Sequence, residues 1–310
     1  MRVAWCFPGQ GSQSVGMGKE LALAFPSARE IFERADEALG APISTRCFEG
    51  PETELTLTRN TQPAIVTTSI AALAALGASI ALPEPASAAG HSLGEYSALV
   101  AAGALALEDA VGLVRLRGEA MQAAVPPGAG AMAAIMGLSS EKVAEICDQA
   151  KEGDVVSPAN FNAPGQIVIA GHAGAVARAA RLAADRGGKA IPLKVSAPFH
   201  CSLMAPAAAT LAAALGGIEV RPLAFPVIAN VDARPNRDAA RVKDLLIQQV
   251  DHPVRWEETV RAMASDGVTH VLEIGPGKVL GGLVRRIAKE IEVLAIGTPE
   301  GVEAAAKLFG

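Results

Sequence analysis

The strongest chemical signal in the chain is Gly90-His91-Ser92-Leu93-Gly94. This G-x-S-x-G run lies between a short apolar stretch, Ala86–Ala89, and a helical pattern that starts near Glu95. A serine on a sharp strand-to-helix turn holds its Oγ clear of the backbone, and the following N–H can face an oxyanion. Glycines permit the close backbone approach that such a turn needs. The same run also fits a glycine-rich turn with a capping serine.

A serine hydroxyl is a weak nucleophile and needs a base. The histidines are His91, His172, His200, His252 and His270. His91 adjoins Ser92 and is expected to point elsewhere. His172 begins a helical pattern, His252 precedes Pro253, and His270 lies in an apolar run that suits a core residue. His200 closes the loop Ser196-Ala197-Pro198-Phe199-His200. Loops on rigid scaffolds often carry catalytic groups, so His200 is the candidate base, the alternative being a surface loop histidine. Its second ring nitrogen needs an acceptor. The aspartates between the two residues (Asp109, Asp148, Asp154 and Asp185) fall mostly on solvated helical patterns or in a segment that reads as an insert. A backbone carbonyl could act instead, which would make a Ser–His dyad.

Arg117 is the second clue. Ala110, Leu113, Val114, Arg117 and Met121 share one stripe of a helix predicted over Leu107–Ala124. Arg115 faces away and can pair with Glu119 one turn on. Arg117 therefore projects inward, where an unpaired charge is costly. Either an internal salt bridge or a clamp on a substrate carboxylate meets that demand. Gln10 and Gln13 lie in Pro8-Gly9-Gln10-Gly11-Ser12-Gln13. Loops after strands of an α/β sheet gather where ligands bind, so this one could lend an oxyanion hole a backbone N–H. It could equally be a plain glycine turn.

The elements that must position these residues follow from periodicity. Val3–Phe7 reads as a strand. Helical patterns cover Lys19–Leu39, Pro63–Gly77, with Pro63 in the first turn, and Glu95–Ala102. Pro126-Pro127-Gly128 breaks the next helix. Ala131–Met136, Val155–Asn160, Gln166–Ala170 and Lys189–Val195 then read as strands. Helices over Ser140–Ala150, capped by Ser139, and Ala173–Arg186 separate them. That order, β-α-β-β-α-β, is the ferredoxin-like pattern. After Pro198, Ser202–Leu215 reads as a helix and Phe225–Ala229 and Val268–Ile274 as strands, with a further helix after Gly275-Pro276-Gly277. The expected fold is α/β: residues 1–127 and 197–310 form one large domain with a mostly parallel sheet, and 128–196 form a small ferredoxin-like insert.

Bulk properties exclude other classes. The 310 residues carry a net charge of −5 and only 4% aromatics, which argues against nucleic acid. Four scattered cysteines without a C-x-x-C pair argue against a metal site or a disulfide framework and fit a cytoplasmic protein. The early Pro8-Gly9 leaves no room for a secretory apolar region. Ala64–Leu82 lacks charge but is rich in alanine and hydroxyls, so it reads as a buried helix rather than a membrane span. Gly277-Lys278 is followed by Val279 instead of Ser or Thr, and Ser14 replaces the third glycine after Gly9 and Gly11; both phosphate-loop readings fail.

Together these residues resemble the malonyl-CoA:acyl carrier protein transacylase family. The matching pieces are Phe7–Gln13, Thr61-Gln62-Pro63-Ala64, Gly90–Tyr96, Arg115-Leu116-Arg117-Gly118, Asn160–Gln166, Pro198-Phe199-His200 and Glu273–Gly277. The resemblance implies a hydrolase-like α/β core. It implies Ser92 as acylated nucleophile, His200 as base, and the main-chain carbonyl of Gln249 as the group that orients the histidine. It further implies an oxyanion hole from the N–H groups of Gln10 and Leu93, with Arg117 holding the malonyl carboxylate. Gln62, Met121, Asn160, Asn162 and Phe199 are implied around the substrate, Phe199 as a mark of malonyl rather than methylmalonyl selection. No cofactor or metal is implied. The implied partners are malonyl-CoA and acyl carrier protein, in fatty-acid synthesis or, alternatively, with a polyketide synthase. Carrier proteins in such pathways are acidic, so Lys278, Arg285 and Lys289 on one helical face, with Arg286 beside them, are the expected docking surface. Nothing in the sequence demands an oligomer, and a monomer is expected.

Overall fold

The computed structural model describes residues 1–195 and 197–310. Ser196, the expected end of the insert, lies outside the described residues. Ten strands occur among them: β1 (Val3–Phe7), β2 (Ser87–Gly90), β3 (Gly130–Met136), β4 (Val156–Ala163), β5 (Gln166–His172), β6 (Lys189–Pro192), β7 (Val227–Ile228), β8 (Pro235–Asn236), β9 (His270–Ile274) and β10 (Glu292–Ile296).

β1 is apolar throughout because helices cover both of its faces. Val3, Trp5 and Phe7 enter one core, while Ala4 and Cys6 enter a second core with Trp256, Met263 and Leu280. The main sheet runs β10-β9-β1-β2-β7-β8. Its pairings are parallel except for β7 with β8. A second sheet, β4-β5-β3-β6, is antiparallel throughout. The helices Ser140–Ala150 and Ala173–Asp185 bury their apolar stripes against it in a separate core. Met132, Val168 and Ala170 on its other face join the main core. Ser139 caps its helix by accepting the Lys142 N–H, as expected.

Three expectations need correction. Pro63 does not start its helix, which runs Thr58–Ser79. Thr61 Oγ1 donates to the Leu55 carbonyl at 2.6 Å and the Asn60 amide to that of Glu54 at 2.9 Å, so side chains tie the first turn to the preceding one. Proline in that position removes a single backbone bond. The Lys19–Leu39 pattern is two helices, Lys19–Ala24 and Pro26–Leu39. Pro26 forces Phe25 into extended backbone (φ −125°, ψ 113°). β6 stops at Pro192, short of Val195. The helix Thr58–Ser79 is buried on nearly every side, which explains its membrane-like composition.

Candidate active site

β1 and β2 are neighbours, with Phe7 opposite Gly90, so the loops that follow them emerge side by side at the carboxyl edge of the parallel sheet. The second loop is the Ser92 turn. A Cβ on Gly90 would lie 1.9 Å from the Gly94 backbone, and one on Gly94 would lie 2.3 Å from the Phe7 carbonyl oxygen. Only glycine fits at either place. Ser92 itself has φ +52°, a left-handed conformation rare for any residue with a side chain. Asn230, wholly buried, fastens this turn. Its Oδ1 accepts the Ser92 N–H at 2.7 Å and its Nδ2 donates to the Gly90 carbonyl at 2.7 Å.

His200 also has a positive φ, +60°. Its Nε2 lies 2.7 Å from Ser92 Oγ, and its Nδ1 lies 2.9 Å from the Gln249 carbonyl oxygen. A carbonyl can only accept, so Nδ1 carries the hydrogen and Nε2 is free to take the serine proton. In the helix Ala239–Asp251 the Gln249 carbonyl would ordinarily receive the N–H of residue 253, which is Pro253. Proline has no N–H, so that carbonyl is left for the imidazole. Burial, and then the charge of Arg117, holds the His200 pKa down at about 3. The ring is therefore neutral and basic-competent at neutral pH.

Arg117 enters the same space from the helix Leu107–Ala123 and is only 2% exposed. Its Nη1 donates to Gln62 Oε1 at 2.8 Å, and its Nη2 to Ser92 Oγ at 3.1 Å and Gln249 Oε1 at 2.9 Å. Its Nε is buried without a hydrogen-bond partner, and it makes no salt bridge among the described residues. Between these groups lies a cavity of about 120 Å³, also lined by Gln10, Leu93, Met121, Asn160 and Phe199. Among the described residues the N–H groups of Gln10 and Leu93 make no hydrogen bond within the protein. The arrangement offers a hydroxyl, a neutral imidazole beside it and a cation hydrogen-bonded only to neutral groups in one pocket.

The family of acyl transferase domains matches residues 4–300. A malonyl CoA-acyl carrier protein transacylase from Bacillus subtilis (strain 168) is 50% identical over 306 residues, covering 98% of this chain and 96% of its own. The chain belongs to the malonyl-CoA:acyl carrier protein transacylase family. Among solved structures, the transacylase from Coxiella burnetii superposes with a TM-score of 0.97 at 44% identity, covering 99% of this chain and 97% of that one. A malonyl-transacylase solved with a type II PKS acyl-carrier protein gives 0.97 and 44%, covering 99% and 100%.

Within this transacylase fold, some residues sit differently from expectation. Asn162 is not on the cavity wall; its Oδ1 holds His91 Nε2 at 2.8 Å. His91 does line the cavity instead of pointing away, although its ring bonds to Asn162. Arg115 pairs with Glu119 at 3.2 Å, as expected. Lys278, Arg285 and Arg286 are exposed along or just before the helix Val279–Ile287. Lys289 lies beyond that helix, so the shared helical face ends at Arg285. Arg286 is partly engaged, donating to Gln166 Oε1 and the Pro164 carbonyl of the β4–β5 turn. Sequence reasoning missed Asn230 and Glu95. Asn230 is a polar residue that ends an apolar stretch at the sheet's carboxyl edge, a legible signal. Glu95 is the single charged residue of the helix Gly94–Ala101 and is only 2% exposed.

Proposed function

We propose that the chain transfers a malonyl group from malonyl-CoA to the phosphopantetheine thiol of acyl carrier protein, through an ester on Ser92. The supporting observation is Arg117: a buried guanidinium 3.1 Å from the nucleophile, with no carboxylate among the described residues paired to it. Such a cation suits an acyl group that brings its own carboxylate.

Ser92 Oγ attacks the thioester carbonyl carbon while its proton passes to His200 Nε2. The N–H groups of Gln10 and Leu93 receive the developing oxyanion. Collapse breaks the C–S bond, and the coenzyme A thiolate takes the proton from His200. In the second half the carrier thiol gives its proton to His200 and attacks the ester, and the proton then returns to Ser92 Oγ. The Gln249 carbonyl steadies the imidazolium formed in each half. Gln62 fixes Arg117, while Met121, Asn160 and Phe199 shape the acyl pocket and Asn162 acts through His91.

The reading divides the chain into a catalytic unit, 1–127 with 197–310, and an insert, 128–196. The insert's strand order and its two helices on one face support a ferredoxin-like description. Lys278, Arg285 and Arg286 are the proposed contact for an acidic carrier protein, with Lys289 beside them. Four free, buried cysteines support a reducing, cytoplasmic setting. The solved relative bound to a type II PKS carrier favours a second reading, the same transfer serving a polyketide synthase.

Intact-protein mass spectrometry after brief exposure to malonyl-CoA, acetyl-CoA and methylmalonyl-CoA tests the core reading. One malonyl adduct, absent in Ser92→Ala, is expected. Free malonate without an adduct would instead indicate a thioesterase. Arg117→Leu should lower malonyl kcat/KM by about 100-fold, the weight of a charged hydrogen-bonded clamp, and leave acetyl transfer far less affected.

A further inference from the structure

A buried cation with no anion in contact raises the question of what balances it. Two simple answers fail. With no counter-charge at all, the guanidinium would be strongly destabilised in the interior. With a carboxylate in direct contact, its donors would be committed and an incoming substrate carboxylate would have to displace that partner.

The structure holds an intermediate arrangement. Glu95, buried on the neighbouring helix, is separated from Arg117 by one side-chain amide. Gln249 Oε1 accepts from Arg117 Nη2 at 2.9 Å, and Gln249 Nε2 donates to Glu95 Oε2 at 2.7 Å and to the Ser92 carbonyl at 3.0 Å. Glu95 Oε2 also accepts the Asn230 N–H at 2.9 Å. The amide can face only one way, since the reverse would set its NH2 against the cation and its oxygen against the anion. Gln249 is wholly buried, so water does not compete for these bonds. Burial drives the Glu95 carboxyl upward to about 7, against the pull of Gln249, Asn230 and Arg117.

We propose that Glu95 and the Gln249 side chain are positioning residues for selectivity: they balance Arg117 across one amide, so that the guanidinium stays charged yet open to the carboxylate of a carboxyacyl substrate. The proposal rests on the reading of Ser92 as the acylated residue. It gives Gln249 two separable duties. Its main-chain carbonyl serves the His200 base, and its side chain serves the cation that selects the acyl group.

The double exchange Glu95→Gln with Gln249→Glu tests this without changing net charge or side-chain volume, because it moves the carboxylate into direct contact with Arg117. Assays run at about pH 8, above the Glu95 titration, with malonyl-CoA, acetyl-CoA and a neutral sulfonyl fluoride that labels the activated serine. The expected result is a rise of about tenfold or more in the malonyl-CoA KM, from competition for a bidentate donor. Acetyl-CoA acylation and sulfonyl fluoride labelling report the shared loss from removing the Gln249 donor to the Ser92 carbonyl, and malonyl-CoA kcat/KM should fall about tenfold further than either. Equal losses on malonyl-CoA, acetyl-CoA and the sulfonyl fluoride, or an unchanged malonyl preference, overturn the proposal. Should the double variant not fold, Glu95→Gln alone decides. It keeps an acceptor for Gln249 and Asn230 but removes the charge, so added malonate should raise its melting temperature more than that of wild type, and the neutral malonamide should not. An equal malonate shift in both proteins is the refuting outcome. Absence of any malonyl adduct on wild-type Ser92 would refute the transfer reading instead, and the malonate shift still reports on Arg117.

Discussion

At the scale of single residues, the site depends on keeping one imidazole neutral beside a buried cation. His200 is held near pKa 3 by burial and by Arg117, well below its ordinary 6.5. Between those values the unfolded chain binds a proton that the folded chain refuses, so acid favours unfolding. The stability advantage of wild type over His200→Gln should therefore shrink as pH falls through 6.5 towards 3, as read by denaturant midpoints at each pH. A constant difference would mean that the ring accepts a proton in the fold. The two hydrogen-bonded residues, Ser92 and His200, also share a left-handed backbone. Such strain persists only where the surroundings enforce it, and Asn230 and the Gln249 carbonyl do so here.

At the scale of elements, the decisive features are a turn and a helix end. The strand–turn–helix around Ser92 closes so tightly that a methyl group at position 90 would overlap the Gly94 backbone. Gly90→Ala should cost about 3 kcal/mol or more, as overpacking against backbone does, or prevent accumulation of folded protein. The helix Ala239–Asp251 stops where Pro253 leaves the Gln249 carbonyl without an N–H. Pro253→Ala would offer that carbonyl a competing donor. With a neutral hydrogen bond worth about 1 kcal/mol, Ser92 acylation measured in single turnovers should slow about fivefold while the thermal midpoint changes little. Faster or unchanged acylation would show that the imidazole does not depend on this carbonyl.

At the scale of the whole molecule, two sheets meet over the cavity, the small one burying one face in its own core and lending Met132, Val168 and Ala170 to the main one. Main-sheet loops bring Gln10, Ser92 and Leu93 to it, and the small sheet brings Met132 and Asn160. Arg286 links the β4–β5 turn to the helix Val279–Ile287, on the side where Lys278 and Arg285 stand exposed. The chain is acidic overall, so an acidic partner needs such a local basic patch. Reversing Lys278 and Arg285 to Glu should raise the carrier-protein KM more than the malonyl-CoA KM, and most at low salt. Equal effects on the two would place the docking surface elsewhere.

Much of this was legible in the sequence because it depends on local chemistry. An uninterrupted apolar run marked β1 and a Val/Leu/Ile-rich stretch marked β9, glycine spacing marked the Ser92 turn, and the helical stripe placed Arg117 inside. The β-α-β-β-α-β order of the elements from Gly130 to Pro192 was also readable, since short-range periodicity sets it. The rest needed the tertiary structure, because it joins residues far apart in the chain. His200 meets Ser92 across 108 positions, and Asn230 meets it across 138. No spacing rule shows that the Gln249 amide faces Arg117 on one side and Glu95 on the other. A one-dimensional pattern states which faces must be buried; only the packed fold determines which buried groups touch, and it is those contacts that set the charge and the protonation state of the site.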